Sequence, residues 1–262
     1  MISLIPFKIR FYLPFLAFIF LCFLTIFIHP LIWIITLTTT VPADAIYRRL
    51  VRWTFNFVIH FGEFNQIIYI KRLLKDLDST QNRNEIIVCN HISLIDVLLI
   101  IGTFPDTFTF VKESIYKSKI VHHIVSKTGF ISVNINDPQE ASESFLKAKE
   151  ILKNGGRLVV FPEGTRSPTN KLLPFQKGAF RLSVECNVPV RCISFKSNQP
   201  FLVSLKNFLQ ISSPTHFEME ELETFYPPTY CEATLNQDCR KFSKQIHQFF
   251  NSTLQERGFT LG

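Results

Sequence analysis

Two short apolar runs, each breaking into a polar island, constrain this chain more than any other feature. Ile86-Ile87-Val88-Cys89 runs into Asn90-His91, and Leu158-Val159-Val160 runs into Phe161-Pro162-Glu163-Gly164-Thr165-Arg166-Ser167. Apolar runs of this length without alternation read as strands covered on both faces. Strands are expected at 86–89, 107–111, 130–133, 157–161 and 188–195, and helices at 93–102, 115–127, 138–153 and 176–186. The helix over 138–153 is punctuated at both ends, by Asp137 as N-cap, Pro138 at the first position, Glu140 three residues past the cap, and Gly155 as stop. His216–Glu220 reads as one more strand and Gln237–Arg257 as a polar closing helix. Such alternation predicts an α/β class, with a mainly parallel sheet flanked by helices.

In sheets of this kind, sites collect where strands end at their carboxyl side, which makes the two islands the candidates. His91 and Asp96 are five residues apart, so on one regular helix their side chains would diverge by roughly 140°. They can meet only if His91 stays in the loop and Asp96 lies in the first helical turn, and Ser93 is placed to cap such a helix. An imidazole held by a carboxylate can take a proton from a hydroxyl, the acid fixing the tautomer and stabilising the cation. The same spacing fits a plain capping box, Ser93 to Asp96, beside an ordinary loop histidine. In the second island Gly164 lets backbone approach a ligand closely. Arg166 offers a two-pronged donor for phosphate or carboxylate. Glu163 could hold Arg166 or take a ligand hydroxyl. The competing reading is a glycine turn with a surface ion pair.

No G-x-S-x-G elbow is present, and none of the six cysteines forms a C-x-x-C pair. His122-His123 is the sole histidine doublet, and adjacent residues on a helix point apart. No metal and no cofactor is expected.

The Asn-His-x4-Asp pattern (Asn90, His91, Asp96) and the Phe161–Ser167 string together resemble the glycerolipid acyltransferase family, best known for its 1-acylglycerol-3-phosphate acyltransferases. Phe175-Gln176-Lys177-Gly178-Ala179-Phe180 and Val188-Pro189-Val190 are similar to its later motifs, and the resemblance runs from about Glu85 to Val190. It implies that His91 and Asp96 form the catalytic pair and that Glu163, Gly164, Thr165 and Arg166 bind the acceptor. Lys112 falls where the family often has a basic residue, beside the reading of a solvated lysine. One position departs. The block Gly129–Ile135 ends in Ile135 where the family usually carries an Arg for the acceptor phosphate.

Residues 11–43 hold no Asp, Glu, Lys or Arg, and 11–37 is almost wholly apolar and aromatic. That exceeds the ~20 residues needed to cross a bilayer. Pro30 could bend the run into a hairpin within one leaflet, so a single span and a hairpin both fit. Ala43-Asp44-Ala45 mimics a signal-peptide cleavage site, but the apolar stretch is far longer than the ~7–15 residues of a signal core. From Ile46 to Leu77, Trp53, Phe55, Phe57, Phe61 and Phe64 alternate with polar residues. This suits a helix at the membrane interface with Arg48, Arg49 and Arg52 on phosphates, or a core helix of the globular part. The expected organisation is a membrane anchor over 1–45, a basic aromatic interfacial segment over 46–80 and a catalytic domain over 81–262, on the cytoplasmic side. The net charge of +7 is dispersed and carries no nucleic-acid motif, which favours a lipid bilayer over nucleic acid as partner.

The resemblance therefore implies transfer of a fatty acyl group from acyl-CoA or acyl carrier protein to a lysophospholipid hydroxyl, in phospholipid biosynthesis. With no recognisable nucleophile, direct transfer with His91 as base is expected, with oxyanion donors from backbone N–H groups at the loop ends. Ile135 leaves open a specialised lipid or pigment hydroxyl as acceptor. A thioester hydrolase using the same pair, and a non-catalytic lipid-binding protein, are the competing functions.

Overall fold

The structure is a computed structural model that describes residues 6–17, 19–21, 34, 41–75, 84–118, 122–134, 136–166, 172–202 and 211–257. It divides into two compact units. The first comprises Met1–Tyr69, Val97–Ser144 and Ile211–Thr215, the second Ile70–Asp96, Phe145–Gln210 and His216–Gly262.

In the second unit β2 (Glu85–Cys89) is the central strand. It pairs in parallel with β5 (Arg157–Val160) on one side and with β6 (Val190–Ser197) on the other. Every residue of β2 is buried, as an apolar run without alternation requires. β7 (Thr215–Phe225) lies antiparallel to β6, with a bulge between Arg191 and Ile193. β1 (Ile68–Leu73) adds beyond β7. At the amino end of the central strands Glu85 bridges two guanidiniums, Arg157 Nε at 2.6 Å and Arg191 Nε at 2.9 Å. Glu85 and Arg157 are buried opposite each other in the ladder, so this ion cluster opposes slippage of three neighbouring strands. α6 (Gly178–Cys186) and α7 (Leu235–Glu256) pack together, Phe180 meeting Phe242 edge-on at 6.1 Å. α6 ends on Asn187 in the left-handed conformation, φ 51°, with Val188 N–H returning to Ser183 O.

In the first unit β3 (Thr107–Lys112) and β4 (Ile131–Val133) form a parallel pair. α1 (Ala43–Phe64) turns Tyr47, Val51, Thr54, Val58, Ile59 and Gly62 inward. Its other side carries Trp53, Phe57 and Phe61, stacked ring on ring at 5.7 and 5.8 Å. Trp53 and Phe64 remain largely exposed. The helix thus has a buried face, as a core helix requires, and an outward aromatic stripe. Two of its arginines, placed on phosphates in the interfacial reading, bond to the protein itself. Arg48 bonds Asp44 and the Thr128 carbonyl and lies over the Phe108 ring. Arg52 and Asn56 both donate to the Gly102 carbonyl. A Cβ at Gly102 would stand 2.7 Å from Asn56 Oδ1, so glycine is what lets that carbonyl be reached. Carbonyls at the end of α2 (Leu94–Thr103) lack helical partners, and these side chains satisfy them.

Several elements differ from expectation. The single helix over 115–127 is instead α3 (Glu113–Tyr116) and α4 (His122–Val125). β7 runs to Phe225, well past 220. β1 was not anticipated within the aromatic segment. α5 (Pro138–Lys153) begins as its punctuation requires, with Asp137 Oδ1 accepting the N–H groups of Gln139 and Glu140. Among the described residues no helix is long and apolar enough to cross a membrane, and most of the uncharged 11–43 stretch lies outside them.

Candidate functional site

β2 ends at Cys89, and the next seven residues build a compact polar turn inside the second unit. Asn90 extends the ladder with its side chain. Its Nδ2 donates to Phe195 O at 2.9 Å, and its Oδ1 accepts Phe195 N–H at 2.7 Å. The amide thus substitutes for a further residue of strand and lets the chain turn away from β6 without leaving backbone groups unpaired.

His91 follows in the loop and Asp96 lies in the first turn of α2, the one arrangement that lets them meet. His91 Nδ1 is 3.1 Å from Asp96 Oδ2. The same oxygen accepts the N–H groups of Ile92 and Ser93, each at 2.7 Å. Ser93 Oγ caps the helix by accepting Ile95 N–H at 3.1 Å. The capping box and the His–Asp pair are therefore one structure: a single carboxylate oxygen closes the helix start and holds the imidazole. A carboxylate oxygen is an acceptor only, so Nδ1 carries its proton and Nε2 keeps its lone pair. Asp96 is fully buried and its Oδ1 has no hydrogen-bond partner among the described residues. Burial pushes its carboxyl above the ordinary range, against the pull of the bonds from His91, Ser93 and Ile92.

Glu163, buried in the second island, makes no bond to Arg166 among the described contacts. Its Oε1 accepts the His91 N–H at 2.8 Å and its Oε2 the Leu173 N–H at 2.8 Å. It clamps the backbone of the candidate base to the segment after the loop. Burial raises its pKa to about 7, opposed by those two bonds and assisted by the charge of Asp96. Phe161 packs on the His91 ring with centroids 4.3 Å apart. Gly164 adopts φ +71° and its N–H returns to Phe161 O, closing a turn that leaves Gly164 and Thr165 exposed at the tip. Arg166 is half-buried and donates from Nη1 to the Leu202 carbonyl at 2.9 Å.

The second unit thus gathers His91, Asp96, Glu163, Gly164, Thr165 and Arg166. Lys112 ends β3 in the first unit and is exposed. Ile135 and Ser167 lie outside the described residues. Of the backbone N–H groups near the loop ends, where oxyanion donors are expected, those of His91, Ile92 and Ser93 are taken by Glu163 and Asp96. The Cys89 thiol, next to the turn, is buried, and burial pushes its pKa well above the ordinary value, so it is no nucleophile at neutral pH. Three contributors escaped the sequence reading. Asn90 was visible as part of the Asn-His pair, Phe161 as part of the second island, but nothing in the sequence marks the Leu173 N–H.

Against known proteins, a family model described as Acyltransferase matches residues 70–196, which includes every site residue gathered above. The chain is 30% identical over 179 residues to the 1-acyl-sn-glycerol-3-phosphate acyltransferase of Helicobacter pylori, a match covering 61% of this chain and 75% of that protein. It is 26% identical over 179 residues to the human 1-acyl-sn-glycerol-3-phosphate acyltransferase beta, covering 68% of this chain and 64% of that protein. The match to the coconut (Cocos nucifera) 1-acyl-sn-glycerol-3-phosphate acyltransferase is 33% identical over 111 residues, covering 42% of this chain and only 36% of that protein. Among solved structures, the crystal structure of the 1-acyl-sn-glycerophosphate (LPA) acyltransferase PlsC from Thermotoga maritima superposes with a TM-score of 0.65 at 23% identity. It covers 95% of this chain and 98% of that one, and shares the α/β fold with a mostly parallel sheet flanked by helices.

Proposed function

The chain belongs to the glycerolipid acyltransferase family, and on that premise we propose that it is a membrane-associated O-acyltransferase acting through His91 and Asp96. The reaction moves a fatty acyl group from a thioester, acyl-CoA or acyl carrier protein, to a lysophospholipid hydroxyl, with 1-acylglycerol 3-phosphate the favoured acceptor. The observation that carries this reading is the imidazole fixed from two sides. Asp96 Oδ2 lies 3.1 Å from Nδ1, and Glu163 Oε1 accepts the backbone N–H at 2.8 Å.

In the proposed step the acceptor oxygen attacks the thioester carbonyl carbon while His91 Nε2 takes the hydroxyl proton. The imidazolium gains stability from the Asp96 carboxylate. Collapse of the tetrahedral intermediate breaks the carbon–sulfur bond, and the proton on Nε2 passes to the leaving thiolate. Arg166 supplies charge for the acceptor phosphate, aided by the open turn at Gly164 and Thr165. Membrane association uses the uncharged 11–43 stretch and the outward Trp53, Phe57 and Phe64 of α1, with the catalytic residues on the cytoplasmic side.

A second acceptor class, a specialised lipid or pigment hydroxyl, is favoured by Ile135 alone, since an apolar side chain cannot pair with phosphate. One panel tests all of this. The purified protein is given acyl-CoA and acyl carrier protein donors with lysophosphatidate, other hydroxylated lipids, or no acceptor. Strong lysophosphatidate acylation supports the main reading. Acylation of another hydroxyl supports the second. Thioester loss without any acylated product would instead assign a hydrolase.

A further inference from the structure

Outside the His91–Asp96 turn, the second unit carries a cationic hollow. It is an open depression of about 210 Å³ between the 174–177 segment and α7, lined among others by Phe175, Lys177, Arg240, Ser243, Lys244 and His247. Lys177, Arg240 and Lys244 are exposed, and none of them forms an ion pair among the described residues. Arg240 and Lys244 stand one helical turn apart, so both present their charges to the same side of α7. The Phe175 ring meets the His247 imidazole edge-on at 4.9 Å. His247 Nε2 is buried without a hydrogen-bond partner among the described residues. Three exposed cations without an ion-pair partner among the described residues, set beside an aromatic wall, form a place suited to an anionic partner.

The hollow is tied to the candidate site through its own wall. Leu173 N–H bonds Glu163, and Gln176 N–H bonds Pro162 O at 2.7 Å. Yet none of His91, Asp96, Glu163 or Arg166 lines it. With no catalytic residue in its lining, the hollow suits a phosphate far along the chain from the reacting atoms. In a lysophosphatidate the phosphorus is only four bonds from the reacting hydroxyl oxygen, so its phosphate stays close to His91 Nε2. In a coenzyme A thioester the long pantetheine arm stands between the reacting carbon and the phosphates. The coenzyme's end also combines an adenine ring with several negative charges, matching an aromatic wall set among lysines and an arginine.

We propose that this hollow binds the adenosine 3′,5′-bisphosphate end of a coenzyme A thioester, with Lys177, Arg240 and Lys244 on the phosphates. This rests on the acyltransferase reading for the identity of the donor, but binding can be measured without turnover. The probe is adenosine 3′,5′-bisphosphate, titrated calorimetrically into the full-length protein in detergent. Arg240→Glu and Lys244→Glu are compared with Lys241→Glu, an exposed neighbour on α7 outside the hollow that makes the same charge change. Each substitution in the hollow is expected to weaken binding by about tenfold, the scale of one lost charge-assisted hydrogen bond, and Lys241→Glu by much less. In turnover, KM for acyl-CoA should rise in parallel in the same two variants with kcat unchanged. KM for an acyl-pantetheine donor, which lacks the nucleotide, should stay as in the wild type. Equal effects of all three substitutions would reduce the hollow to general surface charge and overturn the proposal. So would a rise in KM for acyl carrier protein with none for acyl-CoA. Binding that is lost in both hollow variants of a protein without transferase activity would keep the site and refute the transferase. Unchanged acyl-CoA kinetics in a working transferase would do the reverse.

Discussion

Replacing Asp96 by Asn separates the two jobs of that side chain. Asparagine has the same shape, and its amide oxygen can occupy the Oδ2 position, where it still accepts from Ile92, Ser93 and His91 Nδ1. The amide nitrogen then falls at the Oδ1 position, where no partner exists among the described residues. Leaving that group unsatisfied costs about 1–3 kcal/mol, and removing a buried negative charge offsets part of it. The loss of stability should therefore stay within about 2 kcal/mol. Catalysis has no such compensation. An imidazolium and a carboxylate about 4 Å apart, charge centre to charge centre, attract by about 4 kcal/mol at an effective dielectric of 20. With that attraction gone only from the charged state, kcat should fall about a thousandfold. The assay is thiol release from acyl-CoA with lysophosphatidate present, read beside urea unfolding of the same preparation. Ser93→Ala is the control. It removes only the cap on Ile95 N–H, so it should cost about 1 kcal/mol of stability and leave kcat within about twofold. A folded Asp96→Asn enzyme with kcat within about threefold of wild type would refute the reasoning and return Asp96 to a plain helix cap.

Other consequences follow from the same contacts. Glu163 has a folded pKa raised from 4.5 to about 7, so its contribution to stability is fully present below 4.5 and is lost as pH climbs to 7. At 1.36 kcal/mol per pKa unit that is about 3 kcal/mol. Unfolding free energies at pH 4.5 and 7.5 should show Glu163→Gln gaining on wild type by about that amount; parallel curves would remove Glu163 from the account. Glu85→Ala removes the carboxylate shared by buried Arg157 and half-buried Arg191 and should destabilise by about 3–5 kcal/mol in a denaturant midpoint measurement. Asn90→Ala strips both partners from the Phe195 backbone and should cost about 2–4 kcal/mol, read by thermal unfolding. Arg166→Ala should raise the acceptor KM with little change in donor KM, and a normal acceptor KM would remove it from the site.

The core strands were legible because their residues state their own environment. Ile86–Cys89 and Leu158–Val160 are apolar on both faces, and only a central parallel strand buries both. α5 was legible because caps act within a few residues. β1 hid inside an aromatic, basic segment, where Ile68 and Tyr69 precede Lys71 and Arg72 without clear alternation. β7 carries four glutamates among its apolar residues, and its buried positions run Thr215, Phe217, Met219 and then slip to Leu222, so charge and the broken alternation masked the strand beyond Glu220. At the site, the His91–Asp96 contact spans five residues and could be inferred from helix geometry. Glu163 reaches back 72 residues to His91, and Asn90 reaches forward 105 to Phe195. Contacts made by backbone N–H groups at that separation leave no side-chain signature, so the readings open for Glu163, a partner for Arg166 or for a ligand hydroxyl, did not include its hold on the main chain.

In the proposed reaction everything turns on His91, held by Asp96, taking the acceptor's hydroxyl proton during acyl transfer. Wild type and His91→Ala should be compared for diacyl product and free thiol in the same reaction, with acyl-CoA and 1-acylglycerol 3-phosphate. Wild type should give one thiol per acylated product, and a His91→Ala protein that still unfolds cooperatively should give neither. Undiminished product formation by that variant would contradict that role of His91.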